Sequence, residues 1–234
     1  LVTLDGEQQE IIQRDNLVSY FQPGSQAFTI NSGYIVDALP AVIRTDFNKL
    51  NQYYDFIKMG KGRVAGRIVD TIRIVPKDDF RYQYLVFLDE DNGLLLRADM
   101  LDREGNLLDQ FRVVTLYIDN RLRGLTDYLN KVSIPPFLYE SKQESSFRIN
   151  WKPDWLPQGF ELVSQNQDSI NEEVIENALF SDGLFTFTLY VNKADRIAAK
   201  ENTWRQGAYT IYSKVIGDKE ITFIGQLPIA TAKQ

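Results

Sequence analysis

The chain has 234 residues, 26 Lys and Arg against 32 Asp and Glu, a net charge of −6, and neither His nor Cys. That length fits one large or two small domains with a sizeable core, while the two absences exclude disulfides, thiolate metal sites, an imidazole base, a Ser-His pair and the ordinary zinc sites. An acidic balance without a Lys/Arg run argues against nucleic acid as the main partner, and no apolar stretch of roughly 18 residues is present to cross a membrane as a helix.

The first residues, LVTLDG, are strand-like and start without Met. The basic and then apolar pattern of a signal peptide is missing, so the chain reads as the interior of a longer, processed or shortened protein. EQQEIIQR (Glu7 to Arg14) and LVSYFQ (Leu17 to Gln22) flank Asp15-Asn16, a hairpin turn, and AFTI (Ala27 to Ile30) follows Pro23-Gly24 as a third strand. From Tyr34 the character changes. Pro40, Ala41-Val42-Ile43, Phe47 and Leu50 predict a short helix from about Leu39 to Asn48, with Asp37 as its cap. Tyr53, Tyr54 and Phe56 then place three rings within four positions, as expected for residues filling a helix–sheet junction. MGKGRVAGR (Met59 to Arg67) does not have dinucleotide-loop spacing and predicts a turn entering the strand Ile68 to Val75, which Pro76 ends.

Arg81 to Ile118 is the clearest pattern. RYQYLVFL, LLLRADML and LLDQFRVVTLYI are strand-sized runs separated by DEDNG and DREGN, whose glycines suit hairpin loops. The prediction is an antiparallel meander. Tyr82, Tyr84, Val86 and Leu88 point to one face, and Leu85 and Phe87 to the other, so both faces carry bulk where a half-wet sheet alternates cleanly. Two readings follow: a helix caps one face, or the sheet is an open barrel with an apolar interior.

RLRGLTDYLNK (Arg121 to Lys131) sets Leu122, Leu125 and Leu129 on one helical stripe. Ile134-Pro135-Pro136 stops it, and the polar stretch to Ser146 predicts a linker. The expected division is 1–134 for a large domain, 135–146 for the linker and 147–234 for a small, strand-rich domain. Its strands are FRINW, FELVSQNQ, VIENALFS, LFTFTLYVN, YTIYSKVIG and EITFIG, with Ser181-Asp182-Gly183 as a hairpin. Asn192 to Glu201 is expected to be a helical or looped excursion, and IATAKQ the first turns of a helix.

Carboxylates are the only abundant catalytic candidates. Asp89-Glu90-Asp91 and Asp99/Asp102 sit in predicted turns, where solvated acids are the norm; a glycosidase needs two opposed across a cleft, one of them buried. DEDNG also echoes a calcium loop without its late bidentate Glu. No catalytic, metal or cofactor site is expected. Trp151 to Phe160, with Trp155, Leu156, two Pro and a Gly between them, predicts a stiff aromatic loop, either packed on the small domain's core or used as a partner anchor.

Several of these stretches carry a resemblance: SYFQPG, FTINSGYIVDALPAVIRTDFNKLNQYYDFIKMGKGRVAGR, LDREGNLLDQFRV (Leu101 to Val113), WLPQGF and LFSDGLFTFTLYVN. Across essentially its whole length the chain resembles the RseB/MucB family of periplasmic regulators of the envelope-stress sigma factor. The family's mature protein has further strands before this start, and its last helix continues past Gln234. The resemblance implies a mainly-β fold: a large LolA-like unclosed antiparallel barrel plugged by helices, plus a smaller strand-rich C-terminal domain. It implies a non-enzymatic protein without cofactor. Such a protein binds the periplasmic domain of the anti-sigma factor RseA, shields it from the site-1 protease DegS, and is released by lipopolysaccharide or mislocalised lipid-bearing species. A lipid or lipoprotein carrier is the alternative, a carboxylate hydrolase a more remote third, and homodimerisation is left open. No family motif assigns contacts, so the site residues rest on physical character. The aromatics Tyr20, Phe28, Tyr34, Phe47, Tyr53, Tyr54, Phe56 and Tyr84 are expected to line an acyl-chain site. Trp151, Trp155, Leu156, Phe160, Phe180, Leu184 and Phe185 are expected to contact the protein partner.

Overall fold

Hairpins form where the chain supplies residues that accept a positive φ. Asp15 (φ 50) turns β1 (Glu10–Arg14) into β2 (Leu17–Phe21), and β3 (Phe28–Asn31) completes an antiparallel sheet in the order β1-β2-β3. The computed structural model describes residues 1–4, 8–35, 39–118, 123–138, 148–170, 173–194 and 201–234. The chain divides into two units, Leu1–Pro40 with Thr115–Glu144 and Ala41–Val114 with Ser145–Gln234.

In the first unit Ile11, Val18 and Tyr20 form a small core with Phe28, Ile30 and Ile35 against it. The segment after the second helix is tied to β3. Thr29 N–H donates to the Pro136 carbonyl (2.9 Å), the Thr29 hydroxyl to the Pro135 carbonyl (3.0 Å), and Leu138 N–H to the Thr29 carbonyl (2.8 Å). Residues 139–147, the rest of the expected linker, lie outside the described residues. The helix itself, α2 (Arg123–Lys131), begins after Leu122, which is not described, and its stripe residue Leu125 is exposed.

The second unit holds the meander. β4 (Tyr54–Val64), β5 (Arg67–Pro76), β6 (Gln83–Asp89), β7 (Leu95–Leu101) and β8 (Leu107–Arg112) pair in sequence order. Gly93 (φ 72) and Gly105 (φ 88) turn the two acidic loops as expected. The glycine-rich stretch differs from its sequence reading. β4 runs straight through Gly60 and Gly62, with a bulge between Lys58 and Gly60, and the turn is made by Ala65 (φ 50) and Gly66 (φ 76). Two adjacent positive-φ residues are what a two-residue hairpin needs, so the turn sits at Ala65-Gly66 and not at the earlier glycines. β8 also stops at Arg112, short of the apolar run, and Val114, Tyr117 and Ile118 are exposed.

The expected helix at Leu39 to Asn48 is split in two. A 3-10 turn covers Ala41–Arg44 and α1 covers Phe47–Leu50. Asp46 starts the second piece by accepting Asn48 N–H (3.1 Å), which ends the first; Asp37 lies outside the described residues.

The remaining strands are β9 (Glu161–Ile170), β10 (Glu173–Ser181), β11 (Thr186–Lys193), β12 (Asn202–Gln206), β13 (Tyr209–Ile216) and β14 (Lys219–Gly225). They form one antiparallel sheet in the order β12-β13-β14-β11-β10-β9. Arg148–Asn150 carries no strand, and β12 begins within two residues of the excursion expected up to Glu201, of which 195–200 are not described. A short α3 (Ile229–Ala232) follows.

Among the described residues of this unit, one face of the meander is covered by aromatic side chains of a second sheet. Ile74, Tyr84, Val86, Ala98 and Met100 share one face of β5–β7 by register, and Phe180, Leu184, Phe185, Phe187 and Phe223 pack with them in a single core. Only Val42 and Leu50 enter that core from the helical turns. Gly225 lies so close to Phe187 that a Cβ there would collide with it, which explains a glycine in mid-sheet pairing. Among the described residues the architecture is mainly β, with three unclosed sheets.

Candidate functional site

Arg81, at the corner before β6, joins the two large sheets. Its side chain is 1% exposed, and its guanidinium lies 5.6, 5.4 and 5.2 Å from the ring centres of Tyr53, Tyr54 and Phe160. Nε is 3.0 Å from Asp182 Oδ2, Nη1 is 2.5 Å from Asp78 Oδ2, and Nη2 donates to the Gln158 carbonyl. Asp182 Oδ1 accepts Leu184 N–H (2.9 Å) and Phe185 N–H (2.7 Å), and its Oδ2 accepts the Tyr54 hydroxyl. Burial, and then the Asp182 charge, push the Tyr54 hydroxyl far above the tyrosine range, so it stays a donor. A buried ion pair persists when its polar atoms are satisfied; here Nη1, Nη2 and both Asp182 oxygens have hydrogen-bond partners, while Nε meets Asp182 at ion-pair distance without hydrogen-bond geometry. The WLPQGF stretch serves this joint. Gly159 has φ 86, and a Cβ there would stand 2.5 Å from the Tyr53 ring.

Three carboxylates of the meander, Asp89, Asp91 and Asp99, are committed to arginines. Asp89, 2% exposed, takes both Nε and Nη2 of Arg67 (2.7 and 2.8 Å), and Arg67 also reaches Asp91 (2.9 Å). Asp99, 3% exposed, pairs with Arg97 (2.8 and 2.5 Å) and accepts Gln110 Nε2 (2.8 Å). Asp102 behaves as a turn acid: hydrogen bonds from Asn106, side chain and backbone, hold its carboxyl below the usual range. Asp89 and Asp99 thus belong to strands and to bidentate pairs, where the sequence reading left them as solvated turn acids. Among the described residues, no three acids, His or Cys come together as a metal site.

The open site lies on the six-stranded sheet. Register puts Phe187, Leu189 and Val191 of β11 on one face with Phe223 and Ile221 of β14 and Tyr212, Lys214 and Ile216 of β13. Phe187 and Phe223 end in the core, while the rest of that face continues into a cavity of about 300 Å³ under the Trp151–Pro157 loop and α3. The loop is braced: Trp151 Nε1 donates to Glu176 Oε2 (2.6 Å), and Trp155 stands edge-on to Phe80 at 4.7 Å. Thr231 of α3 donates to the Phe80 carbonyl (2.8 Å), and Lys233 Nζ reaches Glu201 Oε1 (2.7 Å) while lying 5.5 Å above the Tyr212 ring. The Glu201 hydrogen bond raises the Lys233 ammonium and, reciprocally, lowers the Glu201 carboxyl. Lys152, Lys214, Lys219 and Lys233 also line the cavity, with Asp154 as its acid side chain. Such a surface can hold apolar groups and pair with negative charge.

The aromatics expected around an acyl chain fall in two places. Tyr20 and Phe28 stack at 5.1 Å in the first unit, where Tyr34 is exposed. In the second, Phe47 meets Phe56 edge-on at 5.7 Å, Tyr53 faces Arg81, and Tyr54 and Tyr84 stack on Phe185 at 6.5 and 5.5 Å. None of the eight lines the cavity. Of the residues expected at a protein contact, Trp151, Trp155 and Leu156 line it, whereas Phe160, Phe180, Leu184 and Phe185 are core, between 0% and 6% exposed. Sequence reasoning missed Arg81, Lys214 and Lys219. Arg81 carries no local pattern. Lys214 does: in YTIYSKVIG it stands between Tyr212 and Ile216 on the face of the strand that carries the apolar residues of the cavity.

A mainly-β assembly of open sheets, with paired buried charges and an accessible cavity that is apolar with a lysine rim, has the character of a binding protein. Residues 1–138 match the MucB/RseB N-terminal domain and residues 145–234 the MucB/RseB C-terminal domain. The chain belongs to the MucB/RseB family, as the quoted stretches implied. It is 73% identical over 234 residues to the sigma-E factor regulatory protein RseB of Haemophilus influenzae, covering all of this chain and 74% of that one. It is 41% identical over 237 residues to RseB of Escherichia coli K12, with the same coverage. The fold is similar to that of MucB in the crystal structure of MucB with MucA(peri), with a TM-score of 0.70 at 22% identity over 99% of this chain and 78% of that one. The Pseudomonas aeruginosa MucA/MucB complex gives a TM-score of 0.72 at 23% identity, with the same coverage.

Proposed function

We propose that this chain is a periplasmic regulator of the sigma-E response. It binds the periplasmic domain of an RseA-type anti-sigma factor, shields that domain from site-1 cleavage, and lets go when a lipid signal such as lipopolysaccharide arrives. It catalyses nothing. The observation that carries this reading is the 73% identity to a sigma-E regulatory protein along the whole chain. The fold shared with MucB, seen in complexes with MucA, supports the kind of partner. The family matches leave residues 139–144 between them, which supports a linker there. Trp151, Trp155 and Leu156 are the contact candidates that stand outside the core. The test is a protease-protection assay with purified RseA periplasmic domain and DegS. Saturating protein slows cleavage, and lipopolysaccharide restores it. Undiminished cleavage together with no calorimetric binding of the RseA domain refutes the proposal.

A second reading, a lipid or lipoprotein carrier, draws on the apolar cavity. It separates from the first by handover: a carrier passes acylated cargo to an acceptor, and a regulator does not.

A further inference from the structure

The cavity on the six-stranded sheet combines two features that together select a ligand class. Its floor is apolar, built from Leu189, Val191 and Ile221, with Trp151 and Trp155 as walls. Its edge reverses the charge of the chain: four lysines and one aspartate line it, in a protein with 26 basic against 32 acidic residues. Lys233 is already engaged by Glu201; among the described residues Lys152, Lys214 and Lys219 have no ion-pair contact, although Lys214 is near enough to Glu201 to help lower its carboxyl. Lys214 and Ile221 are register partners, as are Ile216 and Lys219. Ammonium groups therefore alternate with apolar side chains across the mouth, on strands whose hydrogen bonding fixes their spacing. A neutral apolar ligand leaves these charges unused, and a small anion leaves the apolar floor uncovered.

We infer that this cavity binds a single-chain anionic amphiphile, its tail lying on Leu189, Val191 and Ile221 and its head group between Lys214 and Lys219. The volume sets the tail. About 300 Å³ holds about ten methylene groups, each about the size of one water at roughly 30 Å³, which is one acyl chain and not several. The walls are preorganised, since Trp151 is hydrogen-bonded to Glu176 and α3 to Phe80, so little order is lost on binding. The site deepens the lipid half of the function proposed above and rests on that reading for its biological sense. Its test uses no protein partner and can fail while RseA protection stands.

The test titrates the whole chain with decyl phosphate below its micelle concentration, followed by tryptophan fluorescence and calorimetry. The expected result is saturable one-to-one binding with a shift of the emission that Trp151 and Trp155 supply. Uncharged decyl maltoside binds roughly tenfold more weakly, the size of effect that two exposed charge contacts provide. K214E/K219E loses roughly tenfold for decyl phosphate and nothing for decyl maltoside, and K214R/K219R keeps the wild-type preference. Leu189→Trp fills the floor and weakens both ligands; far-UV circular dichroism and a urea midpoint matching wild type certify each variant. Equal affinity for the two amphiphiles, or indifference to charge reversal, overturns the inference. So does binding to phosphatidylglycerol vesicles without binding to the monomeric amphiphile, which would make the lysines a membrane-surface patch.

Discussion

Removing one charge from the Arg81–Asp182 pair should cost far more than removing both. Asp182→Asn keeps an oxygen for the Leu184 and Phe185 N–H groups but turns an amide toward Arg81 Nε and the Tyr54 hydroxyl. It strands a guanidinium that is 1% exposed with Asp78 as its remaining charge partner. Breaking a buried pair in this way costs about 3–5 kcal/mol. Arg81→Met keeps the stem that packs on Tyr53, Tyr54 and Phe160, and leaves Asp182 with three donors in place, so about 2–3 kcal/mol is expected. R81M/D182N removes both fully buried charges and leaves only the part-exposed Asp78, still holding Phe80 N–H, without its arginine. It should fall at least about 2 kcal/mol short of the sum of the single costs, the coupling expected of residues in one network. In urea, with a slope of about 2 kcal/mol per molar, Asp182→Asn lowers the midpoint by roughly 1.5–2.5 M. Tryptophan fluorescence follows the transition, because Trp155 rests on Phe80 beside this corner. Additive single costs, or an Asp182→Asn cost under about 1 kcal/mol, would show that the joint is held by packing alone and refute the argument.

Gly159→Ala and Gly93→Ala separate backbone strain from collision. Both glycines have positive φ (86 and 72), but a Cβ at 93 meets open space and one at 159 meets the Tyr53 ring. Gly93→Ala should cost about 1 kcal/mol and Gly159→Ala about 2–4 kcal/mol, read from the same urea transitions; equal costs would remove the Tyr53 contact from the account. Tyr54 gives a pH signature. Its folded-state pKa is raised, so its contribution is complete below the ordinary tyrosine range and is lost as pH rises above it, where the unfolded hydroxyl ionises and the folded one does not. Above about pH 10, wild type should therefore lose about 1.4 kcal/mol per pH unit more than Tyr54→Phe. The other buried tyrosines cancel in that comparison, and parallel pH profiles would contradict the assigned burial.

The hairpin signals were local and therefore legible. Asp15, Gly93, Gly105 and Gly183 each turn the chain where their neighbours predicted, since a positive φ is a requirement of single residues. The Gly60-to-Gly66 stretch misled because several glycines could have made the turn, and only cross-strand register decides which does. What covers the meander could not be read at all. Bulk on both faces said that cover was needed, but Phe185 and Phe187 are about a hundred residues from Tyr84 in the chain, and their meeting depends on the long-range packing of two sheets. The site was half legible for the same reason. Trp151 and Trp155 stood out by density, whereas Arg81, Lys214 and Lys219 acquire meaning only from partners or vacancies brought to them by the fold.

The corner Asp78–Arg81 is where these pieces meet. Phe80 N–H is held by Asp78 (3.0 Å), the Phe80 ring carries Trp155, and the Phe80 carbonyl holds Thr231 of α3. The next residue, Arg81, anchors the far end of the same aromatic loop through the Gln158 carbonyl and the Phe160 ring. Two walls of the cavity, the Trp loop and α3, are thus fastened to two consecutive residues of the meander, and those residues are fixed in turn by a buried ion pair. A loop bearing two Trp and two Pro is stiff by itself but has no reason to sit at one height above a sheet. The ion pair supplies that height. It follows that the joint's strict demands, a glycine at 159 and a charge pair at 81 and 182, set the shape of an opening on the other side of the loop that contains none of these residues.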